Sequence, residues 1–282
     1  MTNSVILAGA GNMGFAMLQG WIDGKVLAPH DVFVVEPNAD LRARATNLGA
    51  HAVAGVADLP AGFTPYLVVL AVKPQVMGAV LEGYKAIAAN GAAFLSVAAG
   101  VNAETIRRSL EEDTGTVRRA HGSGTEIVRC MPNTPSSIGK GMLVYFNNAA
   151  VTPNLETFVV TLLSCSGLVA KIDDENLMDA VTAVSGSGPA YVFHFIECLT
   201  QAGVAAGLPE TIAGQLAMQT IMGAGALAAA SADSPTKLRE QVTSPNGTTQ
   251  AALNVLMGGG RMQALVSQAV EAARARSVEL GK

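Results

Sequence analysis

Charge is scarce in this chain of 282 residues: only 14% are Asp, Glu, Lys or Arg, against about 25% in an average soluble domain. Its 18 basic and 22 acidic side chains leave a net charge of −4. The basic footprint that holds a protein on nucleic acid is therefore missing, and no such partner is expected. Disorder is excluded from the other side, because half of the residues are apolar. Cysteine is sparse as well. Cys130, Cys165 and Cys198 are odd in number, far apart and free of any C-x-x-C pair, which argues against a disulfide framework or a thiolate zinc site. His30, His51, His121 and His194 are equally scattered, so no metal site is expected. We find no run of about 18 uncharged apolar residues, the length needed to cross a bilayer. The apolar start, MTNSVILAGAGNMGFAML, is interrupted by glycines and has no basic segment before it, the first basic residue being Lys25. These absences lead us to expect a reduced, cytoplasmic chain with no membrane partner.

What is present is long enough for two domains of ordinary size. The first half alternates short apolar runs with helical segments. Ser4–Ala8, Val32–Glu36, Tyr66–Val72, Ala92–Ala98 and Thr125–Met131 read as strands, and their unbroken hydrophobicity suits a sheet covered on both faces. Met13–Gly24, Ala39–Leu48, Gln75–Ala89 and Ala103–Glu112 read as helices, the last with Asn102 as its N-cap. Strand–helix repetition predicts a doubly wound α/β sheet, extended by Met142–Phe146 and Leu168–Ile172. His121–Gly124 reads as an exposed loop. Beyond Asp173 only helices are expected: Asp174–Val184, Pro189–Ala206, Pro209–Ala230, Pro235–Val242, Thr248–Met257 and Arg261–Leu280. Pro189–Ala206 and Pro209–Ala230 are apolar nearly all round, so they demand burial on every side. A hundred or so residues cannot supply that burial alone, and we expect a dimer with intertwined helical domains.

Gly9-Ala10-Gly11-Asn12-Met13-Gly14 follows the first strand and opens a helix. In G-x-G-x-x-G the first glycine permits the turn, the second lets backbone approach a pyrophosphate, and the third allows close helix–strand packing. Glu36-Pro37-Asn38 ends the second strand, where an acid usually binds the ribose hydroxyls of NAD. Arg42 and Arg44, with Asn38, instead suit a 2′-phosphate, and Glu36 is equally able to cap the next turn. Lys73 precedes Pro74, which biases it towards extended backbone at the carboxyl edge of the sheet. The Ala98-Ala99-Gly100 and Met131–Pro135 turns end at the same edge, where small residues would admit a nicotinamide and Asn133 or Thr134 would hold its carboxamide.

Two polar, glycine-rich segments interrupt the helical half: Ser185–Tyr191 and Thr243–Thr249. Hydroxyls and free amides at a helix N-terminus make a site for a small carboxylate. Asp174–Ala206 has no lysine, and no histidine–carboxylate pair is apparent. Reducing a ketone calls for a positioned acid, whereas an imine that is already protonated needs mainly orientation and hydride delivery. The inventory suits the imine.

GAGNMG (Gly9–Gly14), AVKPQ (Ala71–Gln75), SVAAG (Ser96–Gly100), RCMPNTP (Arg129–Pro135), SGSGPAYVF (Ser185–Phe193) and QVTSPNGTT (Gln241–Thr249) resemble, in order and over most of the chain, the pyrroline-5-carboxylate reductases. The resemblance implies reduction of 1-pyrroline-5-carboxylate to L-proline by NADPH, or by NADH, as the last step of proline synthesis. It implies a Rossmann domain over 1–167 and a helical dimerisation and substrate-binding domain over 168–282, in homodimers or decamers. Carried over by position, Thr249 and Lys73 are the catalytic candidates. Gly9, Gly11, Asn12, Met13, Gly14, Glu36, Asn38, Ala71, Val72, Lys73, Pro74, Ala98, Ala99, Gly100 and Asn133 would hold the cofactor. Ser185, Ser244, Gly247, Thr248 and Thr249 would hold the substrate. Three features depart from the family pattern: Asn246 replaces a second glycine, Glu36 is unusual beside NADPH, and Glu112–Thr125 is a longer connection. A related β-hydroxyacid dehydrogenase or imine reductase, and a non-catalytic dinucleotide sensor, are the competing readings. The dehydrogenase would want a lysine on the first long helix of the second half, and the sensor would have no use for the Thr243–Thr249 hydroxyls.

Overall fold

Alternate residues of a strand face opposite ways, and here both directions are apolar. In β1 (Val5–Ala8), Val5 and Leu7 enter one core while Ile6 and Ala8 enter another. The computed structural model describes residues 4–112 and 124–281. After β1 come α1 (Asn12–Asp23), β2 (Val32–Val35), α2 (Ala39–Asn47), β3 (His51–Val53), β4 (Leu67–Leu70), α3 (Met77–Glu82) and α4 (Lys85–Ala89). They are followed by β5 (Ala93–Ser96), α5 (Ala103–Glu111), β6 (Ile127–Met131), β7 (Gly141–Asn147), α6 (Pro153–Ser164), β8 (Gly167–Lys171) and α7 (Met178–Val181). The strands form one sheet in the order β3-β2-β1-β4-β5-β6-β7-β8. β1 to β6 pair in parallel, β7 runs antiparallel to β6, and β8 is parallel to β7. This is the doubly wound α/β sheet expected from the alternation of strands and helices.

One face is covered by α1 and α6, through Met17, Leu18, Trp21, Leu155, Val159 and Leu162. The buried Trp21 indole N–H donates to Leu162 O at 3.1 Å, so its one polar atom is satisfied. The other face is covered by Met77, Leu81, Tyr84, Ile106 and Leu110. Asn102 caps α5 by accepting from Thr105 N–H at 2.7 Å, as the sequence predicts.

Some expectations are corrected. β3, only three residues long and exposed at His51, carries too little pattern to be foreseen. The helix expected over Gln75–Ala89 is two helices, because Gly83 ends α3 with a bond to Val80 O (3.1 Å) and Tyr84 turns into the core. The helix expected over Asp174–Val184 is a 3₁₀ turn (Glu175–Leu177), the short α7 and a π-turn, Thr182–Gly186. Of the His121–Gly124 loop, only Gly124 falls within the described residues; most of the Glu112–Thr125 connection lies outside them.

The chain divides into two compact units, Met1–Gly186 with Arg274–Lys282, and Ser187–Ala273. The second comprises α8 (Gly188–Ala205), α9 (Glu210–Ala230), α10 (Pro235–Gln241), α11 (Thr248–Met257) and most of α12 (Arg261–Leu280). α8 and α9 pack as a hairpin, yet Ala213 and Ala217 are the buried residues on them. Phe193, Leu216, Met218, Met222 and Leu227 all stand exposed in the single chain, Phe193 by 59%. A water-facing surface this apolar marks an interaction face. Among the described residues, one helix, α9, is long and apolar enough by length and composition to cross a bilayer, where the sequence led us to expect none; it carries Thr211, Gln215, Gln219 and Thr220.

Candidate functional site

The parallel strands β1, β2, β4, β5 and β6 release their chains at one sheet edge, the edge at which doubly wound folds bind ligands. The glycine turn is built there. Gly9 takes φ +94°, and a Cβ on it would lie 2.7 Å from Ala71 O. A Cβ on Gly14 would overlap the Gly9 carbonyl oxygen, so α1 packs directly on the turn. A Cβ on Gly11 would meet nothing within 4 Å, leaving open space above the helix entrance. Gly11 caps α1 without a side-chain bond, and no acid sits in the first turn. The amides of Asn12, Met13 and Gly14 thus have no intrahelical acceptor. Open space over unpartnered, positively polarised amides fits a pyrophosphate. A cavity of about 380 Å³ adjoins this entrance, with Asn12, Met13, Phe15, Arg44, Thr134 and Ser137 among its lining.

Glu36 is buried. Its Oε2 accepts from Ala10 N–H at 2.8 Å and its Oε1 from Asn38 N–H at 2.9 Å. Glu36 thus caps the turn at the end of β2 through the Asn38 amide. Asn38 Oδ1 in turn accepts from the Asp40 and Leu41 amides and caps α2. Arg44 stands over the Phe15 ring at 4.0 Å. Ala71 and Val72 flank Gly9, and Lys73 is extended (φ −66°, ψ 144°), as its place before Pro74 requires. The Lys73 side chain is exposed and forms no ion pair among the described residues.

Ala98, Ala99 and Gly100 follow β5. Gly100 takes φ +77°, and the last turn of α12 lies against it, Leu280 C being 3.3 Å from where its Cβ would stand. Ser277 anchors that turn by donating to Asp179 Oδ1 at 2.6 Å. The loop after Gly100 is fixed by Glu175, whose Oε1 accepts from Ala103 N–H at 2.8 Å and from buried Arg129 at 3.1 Å. Neither anchor has a local sequence signal; both join segments far apart in the chain.

Asn133 is more committed than the sequence indicates. Nδ2 donates to Ser185 O at 3.1 Å and Oδ1 accepts from Met142 N–H at 2.9 Å. Ser185 lies in the π-turn, so the expected break in the long helix is a widened turn followed by a bend at Ser187. π-turns recur at functional sites.

In the second unit, Gly247 N–H donates to Ser244 O at 3.0 Å, and Gly247 caps α11 with no side-chain bond. The first-turn amides of α11, from Thr248 and Thr249 onward, face outward unpaired. Thr243 spends its hydroxyl on Arg239 O at 2.6 Å, whereas those of Ser244, Thr248 and Thr249 have no partner among the described residues. Asn246 holds φ +59°, the left-handed region, so the loop keeps its course without a glycine there. A cavity of about 530 Å³ beside Thr243 and Gln250 lies among α10 and α11 and does not include Ser244 or Thr249.

A family model described as pyrroline-5-carboxylate reductase dimerisation matches residues 175–280. A second, described as NADP oxidoreductase coenzyme F420-dependent, matches residues 4–100. The chain is 38% identical over 276 residues to the pyrroline-5-carboxylate reductase of Synechocystis, covering 98% of this chain and 97% of that one. A solved pyrroline-5-carboxylate reductase from Coxiella burnetii superposes with a TM-score of 0.89 at 32% identity, covering all of both chains. The Plasmodium falciparum pyrroline carboxylate reductase with NADP bound, also covered in full, gives 0.81 at 30% identity.

Proposed function

The chain belongs to the pyrroline-5-carboxylate reductase family, and from that premise we infer how its residues share the work. It is an NADP-dependent oxidoreductase that reduces the C=N bond of 1-pyrroline-5-carboxylate to give L-proline. Its 175–280 region is an oligomerisation and substrate-binding domain.

Bound NADPH supplies the hydride. The amides of Asn12, Met13 and Gly14 hold its pyrophosphate over Gly11, with Ala71, Val72, Lys73 and Pro74 along one side. Ala98, Ala99 and Gly100 admit the nicotinamide ring, and Asn133 borders it. Ser244 and the amides of Thr248 and Thr249, which Gly247 presents at the start of α11, bind the substrate carboxylate, and Ser185 is a further substrate contact. The Thr249 hydroxyl orients the ring nitrogen by a hydrogen bond; the imine enters already protonated, so hydride addition to its C=N carbon gives the neutral amine. A protonated imine needs no further acid, because orientation supplies most of the acceleration. Lys73 adds positive charge at the cofactor edge. We divide the labour at 167/168, although strand β8 continues to Lys171.

The exposed apolar faces of α8 and α9 support a homodimer as the working unit, and sedimentation distinguishes it from a decamer of such dimers. Cys130, Cys165 and Cys198 are all free thiols, in keeping with a cytoplasmic enzyme.

The observation that carries the reading is a match along the whole chain, joined to a glycine turn open above Gly11. Purified protein is expected to oxidise NADPH only when 1-pyrroline-5-carboxylate is added and to release proline. Absence of turnover with both NADPH and NADH would overturn it.

A further inference from the structure

The end of β2 brings together an acid, which favours NADH, and arginines, which favour NADPH. The geometry separates their roles. Glu36 is 7% exposed, and each of its oxygens accepts from a backbone amide, Ala10 N–H at 2.8 Å and Asn38 N–H at 2.9 Å. The first amide belongs to the glycine turn before α1, the second to the turn before α2. A carboxylate bonded to two rigid amides ties those turns together and has its charge largely satisfied in doing so. Each oxygen keeps a second acceptor site, but at 7% exposure little of either is open to a ribose hydroxyl.

Arg42 sits one turn into α2 and folds back over the same strand end. Its Nη1 donates to Glu36 O at 2.8 Å and to Pro37 O at 2.6 Å. Among the described residues its Nε and Nη2 have no acceptor. Arg44 lies over the Phe15 ring and lines the cavity at the α1 entrance, and the Asn38 side-chain oxygen Oδ1 accepts from the α2 amides. Arg42 is thus a cation pinned at the strand end with donors to spare, and a guanidinium offers a phosphate two parallel N–H groups.

Building on the NADP-dependent reading above, we propose that Arg42 sets the preference for a 2′-phosphate while Glu36 is a positioning residue that braces the two turns and reads no ribose hydroxyl. This accounts for an acid at the NAD-type position in a chain of an NADP-dependent family. Turned towards two backbone amides and away from solvent, Glu36 presents less of its charge to a 2′-phosphate than an exposed acid would.

The test is equilibrium binding, by calorimetry on the full chain, of 2′,5′-ADP and 5′-AMP, the adenosine halves that differ by the 2′-phosphate. Arg42→Ala is expected to weaken 2′,5′-ADP by about tenfold, the loss of one charge-assisted contact, and to leave 5′-AMP unchanged. Arg42→Lys, which keeps the charge but not the fork, should fall between wild type and Ala. Glu36→Gln should weaken both ligands by the same factor, because its amide group can accept only one of the two N–H groups. Equal losses for both ligands in Arg42→Ala, or no loss, would overturn the assignment of Arg42. Tighter 2′,5′-ADP with weaker 5′-AMP in Glu36→Gln would make that acid a ribose reader. Neither readout needs substrate turnover, so these failures are distinct from failure of the reductase reading.

Discussion

The Asn133 side chain joins two turns, donating to Ser185 O at 3.1 Å and accepting from Met142 N–H at 2.9 Å. Asn133→Ala would leave the part-buried Met142 amide without an acceptor, a cost of about 1–3 kcal/mol. Asn133→Asp keeps that acceptor but sets a carboxylate against the Ser185 carbonyl. We expect Ala to lower the melting temperature, and Asp to raise the KM for pyrroline carboxylate more than it destabilises. Variants that change only the cofactor KM, at unaltered melting temperature, would show that Asn133 merely borders the nicotinamide.

Gly11 and Gly14 share one motif yet should fail differently when changed to alanine. The Gly14 methyl would overlap the Gly9 carbonyl oxygen, which is backbone that cannot step aside. The Gly11 methyl would meet no protein atom within 4 Å and would stand only where a pyrophosphate approaches. Gly11→Ala is therefore expected to melt like wild type and bind NADPH at least tenfold more weakly. Gly14→Ala should lose stability first, by about 1–3 kcal/mol as overpacking does. Thermal melts beside cofactor titrations separate the two.

Much of this could be read from the residues because the physics is local. Strands buried on both faces announce themselves as unbroken apolar runs, and Val5–Ala8 and Leu67–Leu70 appear within two residues of expectation. Gly9–Gly14 likewise encodes its own geometry. What escaped is long-range or stereochemical. Glu36 reaches across to Ala10, and Glu175 to Ala103 and Arg129, through pairs that no spacing foretells. The apolar girth of α8 and α9 correctly demanded cover, but a single chain leaves Phe193 and Leu216 exposed.

Thiol reactivity offers a probe of the sheet core. Cys130 lies on β6, 1% exposed, and burial pushes its thiol far above the usual range. Since the thiolate is the reactive form, an alkylating reagent should modify Cys198, exposed in the single chain, and leave Cys130 untouched. Cys130 should be labelled only at the rate at which the sheet opens, read by mass spectrometry of peptides over time. Labelling of Cys130 as fast as Cys198 in folded protein would mean that β6 is not held in the core.

Asn246 makes the sharpest demand on the substrate loop. Its φ of +59° lies where a side chain's Cβ crowds the following carbonyl, at a cost of about 1–2 kcal/mol for most residues. Asparagine tolerates the region and glycine is indifferent to it. Asn246→Gly should therefore fold and turn over much as wild type does. Asn246→Ala should lose about 1 kcal/mol, and Asn246→Val more, because a β-branched side chain is a true outlier there. The loss should fall on the loop, since the next residue, Gly247, caps α11 and bonds back to Ser244. We expect a raised KM for pyrroline carboxylate with cofactor KM unchanged. If Asn246→Val binds substrate as well as wild type, the amides that Gly247 presents are not the ones holding the carboxylate.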